Sequence, residues 1–429
     1  MDEGARAFLH ELFRTAVTAA HPNGCLRAYL PLPPSGRLFL LAAGKAAGSM
    51  MEVAEQHYLR SGLPADRLLG LGVTRHGYAR PTHHIRVIEA GHPVPDQTGV
   101  DATEQVLALA DQAAAGDLVL VLLSGGASAN WIAPAKGISL ADKQAMTRAL
   151  LRSGATIGET NTVRKHLSRI KGGRLAARAQ PARVITLAIS DVPGDDPDII
   201  GSGPTVPDPS TLSAARAVLE RYNLEPPDAV ARALSDAANE TPKPDDPIFA
   251  DLDFQLVARP ADAFRAARQA AKDAGYDSVL LGDHVEGEAR EVAQEHARIA
   301  RELQAQGRRC IVLSGGELTV TLHRSAGHGG PNQEYALALA LALEGTRGIT
   351  VLAADTDGTD GGSGSVRDPA GAFADGTSAR RGRALGLDPA SFLANNNSTH
   401  FFAPLGDLLM SGPTFTNVND FRAILVDST

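Results

Sequence analysis

The stretch RLFLLAAGKAAG, residues 37–48, decides the fold class. It is a short apolar run typical of a buried strand, and it leads directly into a turn of small residues that opens a helix. Other apolar runs have the same character and are closely followed by Ser or Asp: Leu118–Leu123, Val184–Ile189, Cys310–Leu313 and Ile349–Ala353. Such strands, alternating with Ala-rich helical stretches, predict an α/β protein with parallel sheets and ligands at the carboxyl ends of the strands.

A break in composition divides the chain into two predicted domains. The segment Asn239–Pro247 contains three prolines and few apolar residues, which is typical of a linker. We therefore predict a larger first domain over residues 1–240 and a smaller second domain over residues 248–429.

Composition argues against several classes of protein. The chain has 41 Lys and Arg against 49 Asp and Glu, a net charge of −8 that argues against a nucleic-acid partner or a basic membrane-binding face. The apolar runs are far shorter than the ~20 residues of a membrane-spanning helix, and Met1–Gly4 lacks the features of a secretion signal. The two cysteines, Cys25 and Cys310, exclude a disulfide framework and predict buried thiols in a reducing cytoplasm.

The turn at Gly44 and Lys45 is the first candidate site. Small residues let a ligand approach the backbone, and the helix that follows favours anions at its N-terminus. Lys45 would stand at the carboxyl end of the strand with its ammonium group in a cleft; a surface lysine in an ordinary loop is the alternative. The chain contains neither a P-loop nor a Gly-x-Gly-x-x-Gly turn after a strand.

Two Ser-Gly-Gly turns, one in each half, predict phosphate cradles. Ser124-Gly125-Gly126 and Ser314-Gly315-Gly316 each follow a strand directly. Consecutive glycines permit the positive φ angles that point several N–H groups inward, and the hydroxyl adds a donor. Glu317, after the second turn, is a candidate ligand for a metal or a hydroxyl group. A tight turn without a ligand is the alternative for each.

Residues 161–173, NTVRKHLSRIKGG, form the most basic segment of this acidic protein. Arg164, Lys165 and Lys171 are candidates to bind phosphate or carboxylate, since their charge neutralises oxyanions and Arg offers a two-pronged fork. A solvated helix face is the alternative. Asp191 is the first carboxylate after the strand Val184–Ile189, where a catalytic base or metal ligand would lie.

Two polar segments of the second half also suggest ligand binding. DTDGTDGG, residues 355–362, places Asp355 and Asp357 on a Gly-rich turn, as hard-oxygen ligands for Mg²⁺ or Ca²⁺ would be placed. An EF-hand is excluded because the twelfth position is not Glu, and capping of Asx turns is the alternative. SGPTFTNVND, residues 411–420, suits a phosphate or polyhydroxyl ligand. The histidines show no metal-ligand spacing, and neither a zinc site nor a Ser-His-Asp triad is predicted.

Taken together, these motifs resemble the class II glycerate kinases. The resemblance spans nearly the whole chain in the expected order. One group of motifs is similar to the family's N-terminal domain: residues 44–45, 123–126, 161–173, 190–192 and 201–205. A second group resembles its C-terminal, leucine-rich MOFRL domain: residues 314–317, 330–334, 355–361 and 412–420.

The resemblance implies ATP-dependent phosphorylation of D-glycerate at its 2-hydroxyl, giving 2-phosphoglycerate and ADP with Mg²⁺. It also implies a larger Rossmann-like α/β/α domain, a smaller α/β MOFRL domain and an active site in a cleft between them. Lys45 and Asp191 match the family's catalytic lysine and aspartate. Further expected contacts to substrate or nucleotide phosphate, besides the turns and cations above, are Gly44, Asn332, Thr414 and Asn417.

One residue departs from the family pattern. Many members carry Arg where this chain has Pro331. If that Arg holds phosphate, its role passes here to another cation, for which Arg164 and Lys171 are the candidates.

Two other functions are also compatible with the sequence. Relatives of this family have often been labelled hydroxypyruvate reductases, so an NAD(P)H-dependent reductase is the main rival, although the dinucleotide-binding turn is missing. A non-catalytic metabolite-binding protein would bind the same ligands and form no ADP. The residue types do not distinguish 2- from 3-phosphorylation, and they give no oligomeric state or nucleotide preference.

Overall fold

The computed structural model describes residues 1–322, 327–362 and 364–427. The chain forms two compact units, each built around one β-sheet. The first unit is Pro22–Val257, and the second unit combines Met1–His21 with Ala258–Thr429. Helix α1, Glu3–Ala20, therefore belongs to the second unit. Within the described residues, no helix has the length and apolar character needed to cross a membrane.

The first unit has the predicted Rossmann-like sheet. Its strands are β1 Leu38–Ala43, β2 Leu68–Arg75, β3 Arg86–Ala90, β4 Leu118–Leu123, β5 Arg183–Ile189 and β6 Asp253–Ala258. They follow the order β3-β2-β1-β4-β5-β6, and the pairings from β3 to β5 are parallel. The strand order reverses between β1 and β4, so their carboxyl ends border the crevice where doubly wound sheets bind ligands.

Helices cover this sheet and form a separate cluster beside it. They are α2 Pro22–Cys25, α3 Ala47–Arg60, α4 Gln97–Ala110, α5 Ala127–Asn130, α6 Leu140–Ser153, α7 Ile157–His166, α8 Arg174–Arg178, α9 Leu212–Arg221 and α10 Asp228–Ser235. Capping boxes begin α6, at Ser139 and Asp142, and α7, at Thr156 and Glu159. Apolar residues of α6, α7, α9 and α10 form a core of their own, which fixes the basic end of α7.

The second unit has a mixed sheet. Its strands are β7 Asp277–Gly282, β8 Cys310–Ser314, β9 Ile349–Asp355, β10 Gly371–Asp375, β11 Leu408–Leu409 and β12 Asp420–Val426. They follow the order β11-β10-β9-β12-β8-β7, in which β7 and β8 pair in parallel. The buried strand β12 lies antiparallel between β8 and β9. The predicted parallel sheet is therefore wrong for this unit, because a strand from the end of the chain separates the two apolar runs.

The remaining helices pack on this mixed sheet: α11 Pro260–Asp273, α12 Ala289–Ala305, α13 Pro331–Ala342, α14 Ser378–Ala384, α15 Pro389–Ala394 and α16 Ser398–Phe402. Cys310 in β8 is buried as predicted, whereas Cys25 is only half-buried.

The units differ from the predicted domain boundaries at both ends of the first domain. The apolar face of α1 packs against α11, β9 and β12, with the Phe13 ring 6.1 Å from that of Phe421. The Thr416 hydroxyl donates to the carbonyl oxygen of Ala20 over 2.7 Å. Residues beyond 240 continue the first unit as far as Val257, because β6 extends its sheet beside β5. Long-range packing, which a break in composition does not reveal, sets both boundaries.

Candidate active site

The turn after β1 is held against the turn after β4. The Lys45 N–H donates to the carbonyl oxygen of Gly125 (2.8 Å), and the Ala46 N–H donates to the Ser124 hydroxyl (2.9 Å). Gly44 has φ 116°, and a Cβ added there would overlap the hydroxyl and carbonyl oxygens of Ser124. Gly44 is thus required by both conformation and space. The backbone of Lys45 is fixed at the switch point of the sheet.

The first Ser-Gly-Gly turn supports Lys45 in a way that the sequence did not indicate. Ser124 is fully buried, and its hydroxyl accepts the Ala46 hydrogen bond. Gly126 has φ 85°, and a Cβ there would lie 2.9 Å from the His92 ring and 3.4 Å from Cγ of Lys45. His92, in the loop after β3, therefore lies beside Lys45. His92 was not predictable as a neighbour of Lys45, since only the strand order brings that loop to this edge.

Asp191 lies at the same edge of the sheet. It follows β5, which pairs with β4 in the register Ala188 to Leu123, and it is half-buried. The preceding Ser190 is buried and accepts from the Val192 N–H over 3.3 Å. Because β1, β4 and β5 are parallel neighbours, Lys45 and Asp191 are at the carboxyl ends of strands that flank β4.

Lys165 differs from Arg164 and Lys171 of the basic segment in having carboxylate partners. Its ammonium group is buried and binds Asp198 and, over 3.5 Å, Oδ1 of Asp208. Asp208 is fully buried and also accepts from the Thr241 hydroxyl (2.9 Å). Burial raises the pKa of Asp198, and the Lys165 ammonium opposes that rise. Lys165 therefore joins α7 to residues 198–208 within a neutralised cluster.

Among the described residues, no carboxylate pairs with Lys171, Arg164 or Lys143 of α6. Nζ of Lys171 donates to the carbonyl oxygen of Ser128 and that of Lys143 to the carbonyl oxygen of Leu167, each over 2.9 Å. The two lysines are only 1% and 3% exposed. Burial, followed by the charge of Arg164, lowers the pKa of both lysines well below its usual range. The sequence missed Lys143, which looks like an ordinary surface lysine of an amphipathic helix.

In the second unit, the second Ser-Gly-Gly turn is bound by a buried arginine. Nε of Arg422 donates to the Ser314 hydroxyl (3.2 Å), and its guanidinium also donates to the carbonyl oxygen of Gly315. Arg422 forms an ion pair with Asp420 over 2.7 Å. Gly316 has φ 96°, and a Cβ there would overlap the backbone of Val285. The Glu317 side chain, in contrast, is exposed.

Asn332 belongs to a buried network at the start of α13. Its Nδ2 donates to Oδ1 of Asp420 (2.6 Å) and to Oδ1 of Asp360 (3.2 Å). Asp360 also accepts from the backbone N–H groups of Asn332 and Gln333, which caps the helix. Burial raises the pKa of Asp360 to about 7, against the opposing effect of these N–H donors. Pro331 begins the helix, a position where Pro is favoured.

Asp355 and Asp357 take part in local turns. Asp355 Oδ1 accepts from the Asp357 N–H (2.8 Å), and Asp357 Oδ1 accepts from the N–H and hydroxyl of Thr359 (2.7 and 2.9 Å). The Thr414 N–H donates to the carbonyl oxygen of Asp357 (3.1 Å), and Oδ1 of Asn417 accepts from the N–H of Asn419 (3.3 Å).

The donors at Asp355 and Asp357 suit Mg²⁺. Across residues 1–322, 327–362 and 364–427, no group of three or more His, Cys, Asp or Glu is arranged to hold a metal ion. Mg²⁺ bound with a nucleotide takes one or two protein carboxylates and completes its shell with phosphate oxygens and water. Two neighbouring carboxylates, one of them half-buried, meet that requirement.

Known proteins match the chain along its length. A domain of unknown function, DUF4147, matches residues 8–235, and the MOFRL family matches residues 310–420. The D-glycerate 2-kinase of Thermotoga maritima is 40% identical over 97% of this chain and 97% of its own. A protein of Agrobacterium vitis, provisionally named as a hydroxypyruvate reductase, is 45% identical over 99% of this chain and 95% of its own. The crystal structure of glycerate kinase from Thermotoga maritima matches with a TM-score of 0.86 and 39% identity, covering 99% of this chain and 100% of that chain.

Proposed function

This chain belongs to the glycerate 2-kinase family with its MOFRL domain, and from that premise we infer that it phosphorylates D-glycerate at the 2-hydroxyl. The substrates are D-glycerate and ATP, and the products are 2-phosphoglycerate and ADP. The observation that carries this function is the position of Lys45. A half-buried cation lies at the switch point of a Rossmann-like sheet, on a turn where nothing larger than Gly fits at position 44. Phosphoryl transfer depends mainly on such positioning and charge neutralisation.

The proposed roles of Lys45 and Asp191 follow from the bonds that change. The 2-hydroxyl oxygen of D-glycerate attacks the γ-phosphorus of ATP, and the bond from that phosphorus to the β–γ bridging oxygen breaks. The hydroxyl proton passes to the Asp191 carboxylate, while the electron pair of the broken bond stays on ADP. The Lys45 ammonium neutralises charge on the transferring phosphoryl group.

The backbone around these two residues gives the nucleotide phosphates a place to bind. We propose that the phosphates approach the edge formed by the turns at Gly44 and Gly125–Gly126, where Gly126 is half-buried and the other two glycines are buried. The Ser124 hydroxyl then supports the turn, because it already accepts the Ala46 N–H. In the second unit, Glu317 and Thr414 are the more accessible of the proposed contacts, whereas Asn332 and Asn417 are buried.

Mg²⁺ is the metal that this reaction calls for, and we propose that Asp355 and Asp357 hold it. Their carboxylate oxygens are the hard ligands that it prefers. When bound, the ion supplies positive charge to the β- and γ-phosphate oxygens. The local hydrogen bonds at Asp355 and Asp357 orient these carboxylates before the metal binds.

A reductase is the second candidate, because a relative at 45% identity carries that name and the strand order is also that of dinucleotide-binding sheets. One assay separates the two functions. The purified protein receives D-glycerate with Mg-ATP while ADP is measured, and in parallel hydroxypyruvate with NADH while absorbance at the reduced cofactor's band is followed. We expect ADP formation that requires D-glycerate and is lost in Lys45→Met. NADH oxidation without ADP formation would replace the kinase by the reductase.

A further inference from the structure

We propose that Lys143, Arg164 and Lys171 form an oxyanion subsite, which we call the basic cluster. It would bind either the carboxylate of D-glycerate or a phosphate group of ATP, both of which present negatively charged oxygen atoms. The proposal rests on the proposed function and deepens it, since it separates the cations that bind a ligand from the one that stabilises the fold.

The buried basic side chains of this region differ in whether a carboxylate neutralises them. Lys165 is neutralised by Asp198 and Asp208. Lys143 and Lys171 are as deeply buried, yet each donates to a carbonyl oxygen rather than to a carboxylate. Within the described part of the chain, Arg164 makes no hydrogen bond and no ion pair. A buried amine keeps its charge when a counter-ion pairs with it, and a bound oxyanion would supply the counter-charge that the described residues do not provide for the basic cluster.

A buried polar group lies on the same face of α7 as Arg164. Thr160 precedes Arg164 by one helical turn, which places both side chains on one face. Its hydroxyl is buried, at 1% exposure, and has no hydrogen-bond partner. A hydroxyl in this position normally finds a partner in protein or ligand, so its free donor next to Arg164 points independently to an oxyanion.

Hydrogen bonds and chain connectivity relate the basic cluster to Lys45. Lys171 binds the carbonyl oxygen of Ser128, and the hydroxyls of Ser128 and Ser202 lie 2.7 Å apart. Ser128 is only two residues beyond Gly126, whose Cα faces the Lys45 side chain. The basic cluster therefore adjoins the turn where the phosphoryl group is proposed to transfer. Its anion would be part of one of the two reactants rather than a separate effector.

The test measures the binding of two probes to variants at Arg164, the half-buried member of the basic cluster. D-glycerate alone and a non-hydrolysable imido analogue of ATP are titrated calorimetrically into wild type, Arg164→Gln and Arg164→Lys. Arg178→Gln is the matched control, because Arg178 is paired with Asp111 at the surface and its loss changes the net charge equally. We expect Arg164→Gln to weaken one probe by about 10-fold or more, as loss of a charge-assisted hydrogen bond does. Arg164→Lys should recover part of that affinity.

The outcomes distinguish the carboxylate of D-glycerate from a phosphate group of ATP as the ligand. They also distinguish failure of the basic cluster from failure of the proposed function. Weakening of D-glycerate alone assigns the basic cluster to the carboxylate, and weakening of the ATP analogue alone assigns it to a phosphate. Unchanged binding of both probes, or equal weakening of both in a folded variant, overturns the subsite. If the wild type forms no phosphoglycerate, the proposed function fails; if it does and Arg164→Gln binds both probes normally, only the basic cluster fails.

Discussion

At the scale of single residues, the site depends on close approaches that only small residues permit. Gly44 lies against Ser124, and Gly126 lies against His92 and Lys45. The sequence predicts a ligand close to these glycines, because each belongs to a turn that directly follows an apolar strand. It did not indicate that the close neighbour is protein. Ser124 was predicted as a phosphate ligand, whereas its hydroxyl is engaged by the backbone of the Lys45 turn.

Replacing Gly44 tests whether that turn is essential. In Gly44→Ala, the new Cβ overlaps Ser124 and the positive φ adds a strain of about 1–3 kcal/mol, so we expect turnover to fall by about 100-fold as Lys45 is displaced. Steady-state kinetics and a thermal melt measure the two effects. Gly62→Ala is the control, because Gly62 has φ 84° with open space around its Cα. Wild-type turnover in Gly44→Ala would show that the turn does not position Lys45.

Asp191→Asn tests the proposed base. The amide keeps the shape of the carboxylate and cannot accept the 2-hydroxyl proton, so kcat should fall by about 10²–10⁴-fold. The KM for D-glycerate should change little. Asp196→Asn, five residues further along the same loop, is the control and should retain activity. Equal kcat values for Asp191→Asn and wild type would remove Asp191 from the mechanism.

At the scale of elements, helix α13 shows why part of the site was not predictable. The sequence predicted Asn332 as a ligand for phosphate, whereas the structure uses it to bind Asp360 and Asp420. These carboxylates are far from Asn332 in sequence, and tertiary folding brings all three together. The alternative of Asx-turn capping, in contrast, describes Asp355 and Asp357 well, because each accepts from an N–H two residues on.

The raised pKa of Asp360 predicts a pH-dependent stability for this element. Burial moves that pKa from 3.8 to about 7 in the folded chain, so the folded state binds a proton more tightly than the unfolded state. Stability from this group is present at low pH and is lost as the pH rises from about 4 to about 7, by an amount on the order of 4 kcal/mol. Unfolding midpoints at pH 5.5 and 8 measure the upper part of this loss, about 2 kcal/mol.

In Asp360→Asn, which cannot titrate, the difference between those two midpoints should shrink. Asp245→Asn, at an exposed position, should leave the difference as it is in wild type. If Asp360→Asn shows the full wild-type difference, another group causes the pH dependence.

At the scale of the whole molecule, sequence predicts the first unit better than the second. The strands β1, β4 and β5 are continuous apolar runs, as parallel strands covered on both faces are, and their order could be anticipated from the fold class. The second unit depends on pairing between distant parts of the chain. Strand β12 lies between β8 and β9, and α1 packs on the same sheet from the other end of the chain. Local sequence patterns do not reveal the position of β12 or the packing of α1.

The net charge of the whole chain likewise does not reveal the local charge at the site. The value of −8 describes the whole surface, whereas Lys143, Arg164 and Lys171 gather positive charge in one buried region. A small anionic substrate responds to that local charge, since interactions over more than about 10 Å are largely screened at physiological salt.

The identity of the product distinguishes 2-phosphorylation of D-glycerate from every other outcome. The purified chain is incubated with Mg-ATP and D-glycerate, and the product is examined early in the reaction by phosphorus–proton correlation NMR, with Lys45→Met as the control. We predict a new phosphorus signal coupled to the single proton on C2, which identifies 2-phosphoglycerate, together with equimolar ADP. A phosphorus signal coupled to the two protons on C3, or the absence of any phosphoglycerate, would contradict the account.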